Sequence, residues 1–588
     1  MQEKTERYLD VVMAVVLAIG AIGYVCWRWS VTPENLQLPF VYMGFDDFET
    51  YVDVTNIRDT GWLWRSTRLG APFGAEFHDF PVIFLHNFDE LLFKVLLLFT
   101  SNVFEVVNIA FLLTPVFSSW AAYFVLRELR ISRLLAACGA LTFAFLPFYF
   151  LRNELHMMLT LYSFVPLVFW LCVFAYRGEI LRTFHFRMFC RRDWLALFFC
   201  LLIANNGTAY WQAFSCFFLL VTAILAATDR QDWHAGLPAM RALGIILVVF
   251  ALCLTPAAYQ NHVQGNNPEP AQRSAVEVDN GGLRLTAMLL PRELSWDKAD
   301  RKVDTYHQDA HSDAATYIGP LAAVGVIFLF VPLFWRKEWE DVTGLFSRLT
   351  LAALLLAMVG GVASIVTVFL APGVLLRVYY RISIYLAFMG IWLVCFSLGR
   401  WQFGKKYKKL FLVGVVCLFA WNLWAQYPQD DSRDYVAPKD VLPSFSPPDY
   451  ARIRSDFTSD RDFVQYLEAE LPAGAMIYQL PYHRFPEGGA VERMFDYQLF
   501  IGFLHSRQLR WSYGGMKGRP GDLWQRELAQ RPMAEQISQL RATGFAGIYV
   551  DCRAYKPEAL QALTAELTAL LGEDAQMSSN GNLAFWRL

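Results

Sequence analysis

Charge is scarce in this chain. Of 588 residues only 18% are Asp, Glu, Lys or Arg, against 55% hydrophobic and 16% aromatic, and mean hydropathy is +0.31. A soluble chain of this size would divide into domains with more charge on their surfaces, so the composition excludes an ordinary soluble protein. The net charge of −2 offers no basic field to a phosphate backbone, and no nucleic-acid partner is expected. Cysteine is sparse too: of ten, only Cys552 lies clearly in a soluble region. A disulfide framework is therefore excluded there, and no CxxC pair signals a metal. The other cysteines read as small hydrophobes inside apolar runs. Also missing are an internal repeat, a low-complexity tract, a nucleophile elbow, a Walker A loop and HExxH.

What is abundant is long apolar sequence. A membrane span needs about 20 mainly apolar residues, because a helix rises 1.5 Å per residue through about 30 Å of hydrocarbon. Runs that meet or approach this test fall at 10–28, 103–126, 134–151, 157–176, 194–204, 208–227, 242–258, 317–335, 349–370, 381–399 and 409–426. The fifth is short and stops at Asn205-Asn206-Gly207, as a half-span or a broken helix would. The first lacks a small-residue cleavage site, since Cys26-Trp27-Arg28-Trp29 follows, and reads as an uncleaved anchor.

Basic residues set the expected orientation. Every second loop holds a basic group: Arg127, Arg130 and Arg133; Arg177, Arg182, Arg187, Arg191 and Arg192; Arg230 and Arg241; Arg336, Lys337 and Arg348; then Arg400, Lys405, Lys406, Lys408 and Lys409. All land on one side, which is taken as cytoplasmic together with the N-terminus. Loops 29–102 and 259–316 and the tail 427–588 then face outward. The membrane body covers 1–426. A linker rich in Pro and Asp, from Tyr427-Pro428-Gln429-Asp430-Asp431 to Ser446-Pro447-Pro448-Asp449, leads into the tail. The tail reads as a small α/β domain, with helices at 462–471, 534–543 and 557–571 and strands at 475–480, 544–551 and 583–588. In the first outward loop, 47–59 has the pattern of an amphipathic helix, and 86–100 that of a helix lying at the interface.

Several groups in the outward regions have chemical potential. Asp46 and Asp47, in Gly44-Phe45-Asp46-Asp47-Phe48-Glu49, lie about fifteen residues past the first span. Adjacent carboxylates near lipid raise each other's pKa and favour a cation, a metal or a hydroxyl. One of them would serve as a general base toward a sugar hydroxyl. The pair would serve equally as the start of the following helix. Arg152, Glu154 and His156 occupy the outer end of the third span, where they suit a phosphate, a carboxylate or a metal, or form a turn with snorkelling side chains. His78 and Asp79 extend the acidic site or make a satisfied turn. Arg377, Tyr380 and Arg381 stand at headgroup depth between the ninth and tenth spans, suited to a lipid phosphate or to an ordinary aromatic belt. Loop 259–316 carries Glu269, Glu277, Asp279, Glu293, Asp297, Asp300, Asp304, His307, Asp309, His311 and Asp313, a set for a divalent cation or a solvated loop. Leu509 to Arg519, rich in Trp, Tyr and Gly, suits sugar faces or docking onto the membrane body.

Certain short stretches carry a resemblance: Asp59-Thr60-Gly61-Trp62, Arg68-Leu69-Gly70-Ala71-Pro72-Phe73-Gly74 and Asp79-Phe80-Pro81, then Phe143-Ala144-Phe145-Leu146-Pro147-Phe148-Tyr149 ahead of Arg152, Glu154 and His156, and Tyr317-Ile318-Gly319-Pro320. Over most of its length the chain resembles bacterial membrane proteins labelled sugar translocases or YfhO-like proteins. These are similar in outline to the GT-C glycosyltransferase superfamily. The resemblance implies a multi-span enzyme with a catalytic Asp or Glu in the first outward loop, a polyprenyl-phosphate sugar donor and an outward soluble domain. Asp46 would be that carboxylate. Relatives tend to carry Gly-Asp there, whereas here Phe45 precedes Asp46 and Asp47 adds a second acid, so either aspartate fits.

The expectation is a polytopic α-helical membrane protein of about eleven spans, GT-C-like, with a C-terminal extracytoplasmic α/β domain. It would sit in the bacterial inner membrane and move a sugar from a polyprenyl-phosphate donor to a glycan or lipid acceptor. Asp46 or Asp47 would be the base. Arg152, Arg377 and Arg381 would hold phosphate, and Glu154, His156, Tyr380, His78 and Asp79 would line the substrate. A divalent cation, Mg or Mn, is the candidate cofactor, with its ligands open. The rivals are a lipid-linked glycan flippase, which expects charge at mid-membrane depth, and a non-catalytic subunit of an envelope assembly complex.

Overall fold

The structure, a computed structural model, describes residues 2–80, 85–183, 185–270, 275–290, 316–334, 341–370, 376–401, 407–427 and 447–588. Much of the acidic loop falls outside these residues: Glu293, Asp297, Asp300, Asp304, His307, Asp309, His311 and Asp313. So do Arg336, Lys337, Lys405, Lys406, Pro81 and the Asp430-Asp431 linker.

Among the described residues seven helices are long and apolar enough to cross a membrane: Thr5–Arg28, Val103–Glu128, Arg133–Arg152, Glu154–Tyr176, Ala209–Arg230, Trp233–Gln264 and Tyr379–Arg400. Pro320–Phe334 and Lys409–Ala425 are apolar but shorter. The fifth expected run forms Arg191–Ala204, only 14 residues. The run expected at 349–370 divides into Asp341–Ala357 and Val362–Leu370 around Gly360 and Gly361.

The elements that position the site are few. Helix α1 (Gln2–Arg28) is followed by α2 (Asp46–Thr60), the hairpin strands β1 (Arg65–Ser66) and β2 (Ala75–Glu76), and α3 (Asn87–Leu96). Then come α4 (Val103–Glu128), α5 (Arg133–Ala144) and α6 (Pro147–Arg152). Pro147 cannot continue the hydrogen-bond ladder of α5 and starts a new helix instead, since its fixed φ suits a first turn. Asn153, at φ +37°, ends α6, and its side chain accepts from the Leu155 N–H at 2.8 Å. The chain thereby turns through Glu154–His156 before the next transmembrane helix.

Deeper in the body, α7 (Pro320–Phe328) crosses α8 (Ser383–Arg400) at Gly325 and Gly390. A Cβ on either glycine would run into the backbone of the other helix. Without side chains at that point the helices approach closely enough to gain dispersion contacts along their length, which matters where lipid removes the hydrophobic driving force.

The C-terminal segment begins with α9 (Tyr450–Glu470), longer at its N-terminal end than the sequence pattern suggests. Asp449 starts it early by accepting the Arg452 N–H at 3.1 Å. Strands β3 (Met476–Leu480), β4 (Arg510–Trp511), β5 (Phe545–Asp551), β6 (Gln576–Met577) and β7 (Leu583–Arg587) form one sheet in the order β4-β3-β5-β7-β6. β3 runs parallel to β4 and β5, while β7 is antiparallel to β5 and β6. Side chains alternate faces, as the pleat requires. Tyr478, Ile548, Val550 and Trp586 bury against helices α10 (Met533–Thr543) and α11 (Pro557–Leu571) through Ile537, Leu540 and Leu567. Ile477, Tyr549 and Phe585 join Phe463, Val464 and Leu467 of α9 in a core continuous with that of the membrane body.

The seam between this segment and loop 29–102 is hydrogen-bonded. Gly70 and Ala71 N–H donate to the Tyr513 and Trp511 carbonyls, both at 2.9 Å, and Trp511 N–H donates to the Arg68 carbonyl at 2.7 Å. The aromatic and glycine cluster at 509–519 is thus engaged in docking. Overpacking the glycine crossing is expected to cost about 1–3 kcal/mol: Gly390→Val should lower the thermal midpoint of the detergent-solubilised protein, and Gly399→Val, where space is open to the Leu135 side chain, should not. Equal midpoints for the two variants would refute the crossing.

Candidate functional site

Helix α2 starts with two aspartates, and the structure sends them in different directions. Asp47 is buried, and its carboxylate accepts the backbone N–H groups of Phe45 at 2.7 Å, Met43 at 2.8 Å and Gly44 at 3.4 Å. Burial pushes its pKa up to about 7, against the pull of those amides. Asp47 thus anchors the turn ahead of α2, whose N-cap position is Phe45 and has no side-chain cap. Asp46, one position earlier, points out of the turn with 51% of its side chain exposed and its Oδ2 3.6 Å from His156 Nε2.

Although open on one side, Asp46 is enclosed by protein on the others. That enclosure raises its pKa to about 6; Arg381 pulls it down, Asp496 pushes it up, and Arg377 and Arg152 pull it down. Three guanidiniums from distant segments therefore share one electrostatic neighbourhood with it. Arg152 is buried and donates from Nη2 to Tyr380 Oη at 2.5 Å, while its Nε has no partner. Arg381 lies over the Tyr210 ring at 4.4 Å, with its Nε buried and unpartnered. Arg377 approaches Glu277 at 3.6 Å. Asp46, His156, Arg152, Tyr380, Arg381 and Arg377 are thus brought together.

Glu154, His78 and Asp79 are engaged elsewhere. Glu154 is fully buried and turned under α2, where Oε2 accepts the Phe40 N–H at 3.2 Å and the Tyr51 hydroxyl at 3.1 Å. Asp79 takes Arg519 in a two-pronged pair at 2.6 and 2.7 Å, and His78 Nε2 stands 3.1 Å from the same guanidinium. Both tie the loop to the C-terminal segment. Of the acidic loop, Glu269 pairs with Arg526 at 2.8 Å, and Asp279 accepts the Gly360 N–H at 2.8 Å.

Other residues at the cleft escaped the sequence reading. Glu49 and Asp53 follow Asp46 at three and seven positions, so one face of α2 presents all three acids. Burial with the neighbouring Asp46 and Asp53 carries Glu49 well above the carboxylate range, against the opposing pull of the Tyr497 hydroxyl. Burial alone pushes Asp53 up to about 7. Beyond them Asn56, His86 and Glu90 are buried with side-chain atoms that find no partner, and Asp89 leans toward the Gly207 amide without good hydrogen-bond geometry. The spacing 46–49–53 was available as a signal; its partners in α3 were not.

The C-terminal segment supplies a strap across the turn. Tyr497 N–H donates to the Gly44 carbonyl at 2.8 Å, Gln498 Nε2 donates to the Met43 carbonyl at 3.1 Å, and Phe495 packs on Phe45 with ring centroids 4.1 Å apart. Gly44 has φ +86°, and a Cβ there would collide with Gln498. Asp496, within electrostatic range of Asp46, arrives on this strap.

A metal fits poorly here. Asp46 and His156 are two candidate ligands, Glu154 is committed to Phe40 and Tyr51, and among the described residues no group of three His, Cys, Asp or Glu is arranged to hold an ion.

No family model and no curated protein sequence matches this chain. Three solved structures illustrate what the chain is similar to in outline. Arabinofuranosyltransferase AftD from Mycobacteria is 16% identical with a TM-score of 0.47, over 93% of this chain and 35% of that one. The Archaeoglobus fulgidus oligosaccharyltransferase in its apo form is 11% identical with a TM-score of 0.44, over 99% and 75%. The same organism's AglB, in complex with an inhibitory peptide and a dolichol-phosphate, is 10% identical with a TM-score of 0.42, over 99% and 74%. This chain spans about a third of the length of the arabinofuranosyltransferase.

Asp47 and Asp46 should separate by experiment. Asp47→Ala removes a buried acceptor from three amides and is expected to cost about 2 kcal/mol, read as a lower denaturation midpoint. Asp46→Ala should leave that midpoint within error. A stable Asp47→Ala protein would refute the turn-anchoring role.

Proposed function

We propose that the protein is a membrane glycosyltransferase of the GT-C type, transferring a sugar from a polyprenyl-phosphate donor to a glycan or lipid acceptor at the outer face of the inner membrane. One observation carries the reading: a solvent-open carboxylate, Asp46, lies within electrostatic range of three arginines, two of which keep buried N–H donors without an acceptor. Unpartnered buried guanidinium donors are costly, and a phosphate satisfies them with paired, charge-assisted bonds.

The chemistry follows from those positions. The acceptor hydroxyl oxygen attacks the anomeric carbon of the donor as the bond from that carbon to the phosphate oxygen breaks. Asp46 takes the hydroxyl proton, and a base with a pKa of about 6 is deprotonated at neutral pH yet still able to accept. Arg152, Arg381 and Arg377 take up the charge left on the departing lipid phosphate. His156, beside Asp46, orients the carboxylate. Tyr380 holds Arg152 in place. Among the described residues the ligand set for a divalent cation is incomplete, so no step is assigned to a metal, and the arginines supply positive charge.

Asp46→Asn in the folded protein is expected to slow transfer from a panel of radiolabelled polyprenyl-phosphate sugars by about 10²–10⁴-fold, the usual contribution of a general base. Wild-type turnover by this variant would sink the assignment. A protein that moves intact lipid-linked sugar across vesicles without transferring it would support the flippase instead.

The pH dependence gives a separate check. Below about pH 6 Asp46 carries a proton and cannot accept another, so the rate should fall as pH drops through that value. Arg381 favours the charged form, so Arg381→Gln should move this acidic limb to higher pH; Asp496 opposes it, so Asp496→Asn should move the limb lower. A limb unmoved by both substitutions would rule out Asp46 as the titrating group.

A further inference from the structure

The far end of α2 borders a polar cavity. Asp59, Thr60, Ser66, Thr67, Arg68 and Arg507 line a space of about 290 Å³ between loop 29–102 and the C-terminal segment. At about 30 Å³ per water this is room for about ten waters, the scale of a single pyranose ring with its hydroxyls. Thirteen residues of helix at 1.5 Å each separate Asp59 from Asp46, so the cavity lies about 20 Å from the candidate base.

Its lining is chemically mixed and nearly balanced in charge. Asp59 accepts from Arg58 Nε at 2.7 Å and from Arg68 Nη1 at 2.6 Å. The rest of Arg68 is spent on the carbonyls of Phe503, Ser506 and Leu509. Of the lining guanidiniums, the exposed Arg507 side chain keeps spare donors, while Arg58, outside the lining, stands behind Asp59 with a buried Nη2 that has no partner. Glu468 is near both Arg68 and Arg507, and its Oε1 is taken by the Arg507 and Gln508 backbone N–H groups. Three guanidiniums therefore stand against two carboxylates and the negative end of the helix dipole. That leaves little net field for an anion. What the cavity offers is the Arg507 donors, one carboxylate and the hydroxyls of Ser66 and Thr67, the Thr60 hydroxyl being spent on the Asn56 and Trp62 carbonyls.

We infer that this cavity is a secondary carbohydrate subsite, which takes a neutral, hydroxyl-rich sugar unit through Asp59, Arg507 and the hydroxyls of Ser66 and Thr67. Vicinal sugar hydroxyls donate to Asp59 and accept from Arg507, a pairing that an acidic sugar loses by placing its own charge beside Asp59 and Glu468. That the bound unit belongs to the acceptor glycan rests on the transferase reading. Sugar binding at the cavity does not.

The experiment uses the full chain in lipid nanodiscs and saturation-transfer NMR. The probes are neutral gluco-, manno- and arabino-tetrasaccharides and tetragalacturonate. At least one neutral probe should give a signal with the wild type, and Arg507→Ala and Thr67→Val, both at exposed positions, should each weaken it about fivefold or more. Asp46→Asn should leave it unchanged, and tetragalacturonate should give none. The inference is overturned if no neutral probe binds, if both cavity variants bind as well as the wild type, or if tetragalacturonate binds best. Loss of the signal in Asp46→Asn alone would put the sugar in the other cleft and equally end it. A positive result here beside wild-type turnover by Asp46→Asn would discard the base and keep the subsite.

Discussion

The turn at 43–45 is held from two sides, and the orientation of the candidate base depends on it. From within α2, Asp47 accepts its three backbone N–H groups. From the C-terminal segment, Tyr497 and Gln498 donate to its carbonyls, and Gly44 leaves the space that Gln498 fills. Adjacent residues on a helix point about 100° apart, so fixing Asp47 inward fixes Asp46 outward. A carboxylate on a loose loop at a membrane surface would sample many directions. This one is held 3.6 Å from His156 and within electrostatic range of the arginines, the kind of preorganisation that electrostatic catalysis requires.

The same constraint explains why a segment more than four hundred residues from Asp46 matters to it. The strap 495–498 carries Asp496 into electrostatic range, and the Arg519–Asp79 pair and the backbone bonds between 68–71 and 511–513 keep the strap seated. The sheet behind it shares a core with the membrane body through Ile477, Tyr549 and Phe585. Charge balance in the cleft is therefore a joint property of both parts of the chain. Arginines from the body lower the proton affinity of Asp46, and an acid from the C-terminal segment raises it.

Some of this was legible from residues alone. Apolar runs located most of the long helices, because burial in lipid leaves a length and composition signature that needs no partner. Prolines and glycines marked the breaks, and the amphipathic pattern of 47–59 marked α2. The acids at 46, 49 and 53 stand on one helical face at a spacing visible in the sequence, whereas the adjacent pair Asp46 and Asp47 is the more conspicuous signal. Glu154, His78 and Asp79 were grouped with the substrate because ionisable residues near a membrane surface are usually functional. Each instead satisfies a buried or interfacial partner, Tyr51 and Phe40 for the first and Arg519 for the other two. Sequence proximity to a site does not say which way a side chain turns.

By itself, then, the sequence determined that the chain is largely membrane-embedded, where its helices lie, and which few ionisable groups are spared from lipid. These follow from the energetics of single segments in water and hydrocarbon. Tertiary structure alone decided which aspartate opens to the cleft, that Arg152 meets Tyr380 across 228 residues, and that the C-terminal strap closes on the first loop. Such outcomes depend on contacts between segments: a carboxylate stays open or anchors a turn according to whether its neighbours leave free or take up its lone pairs.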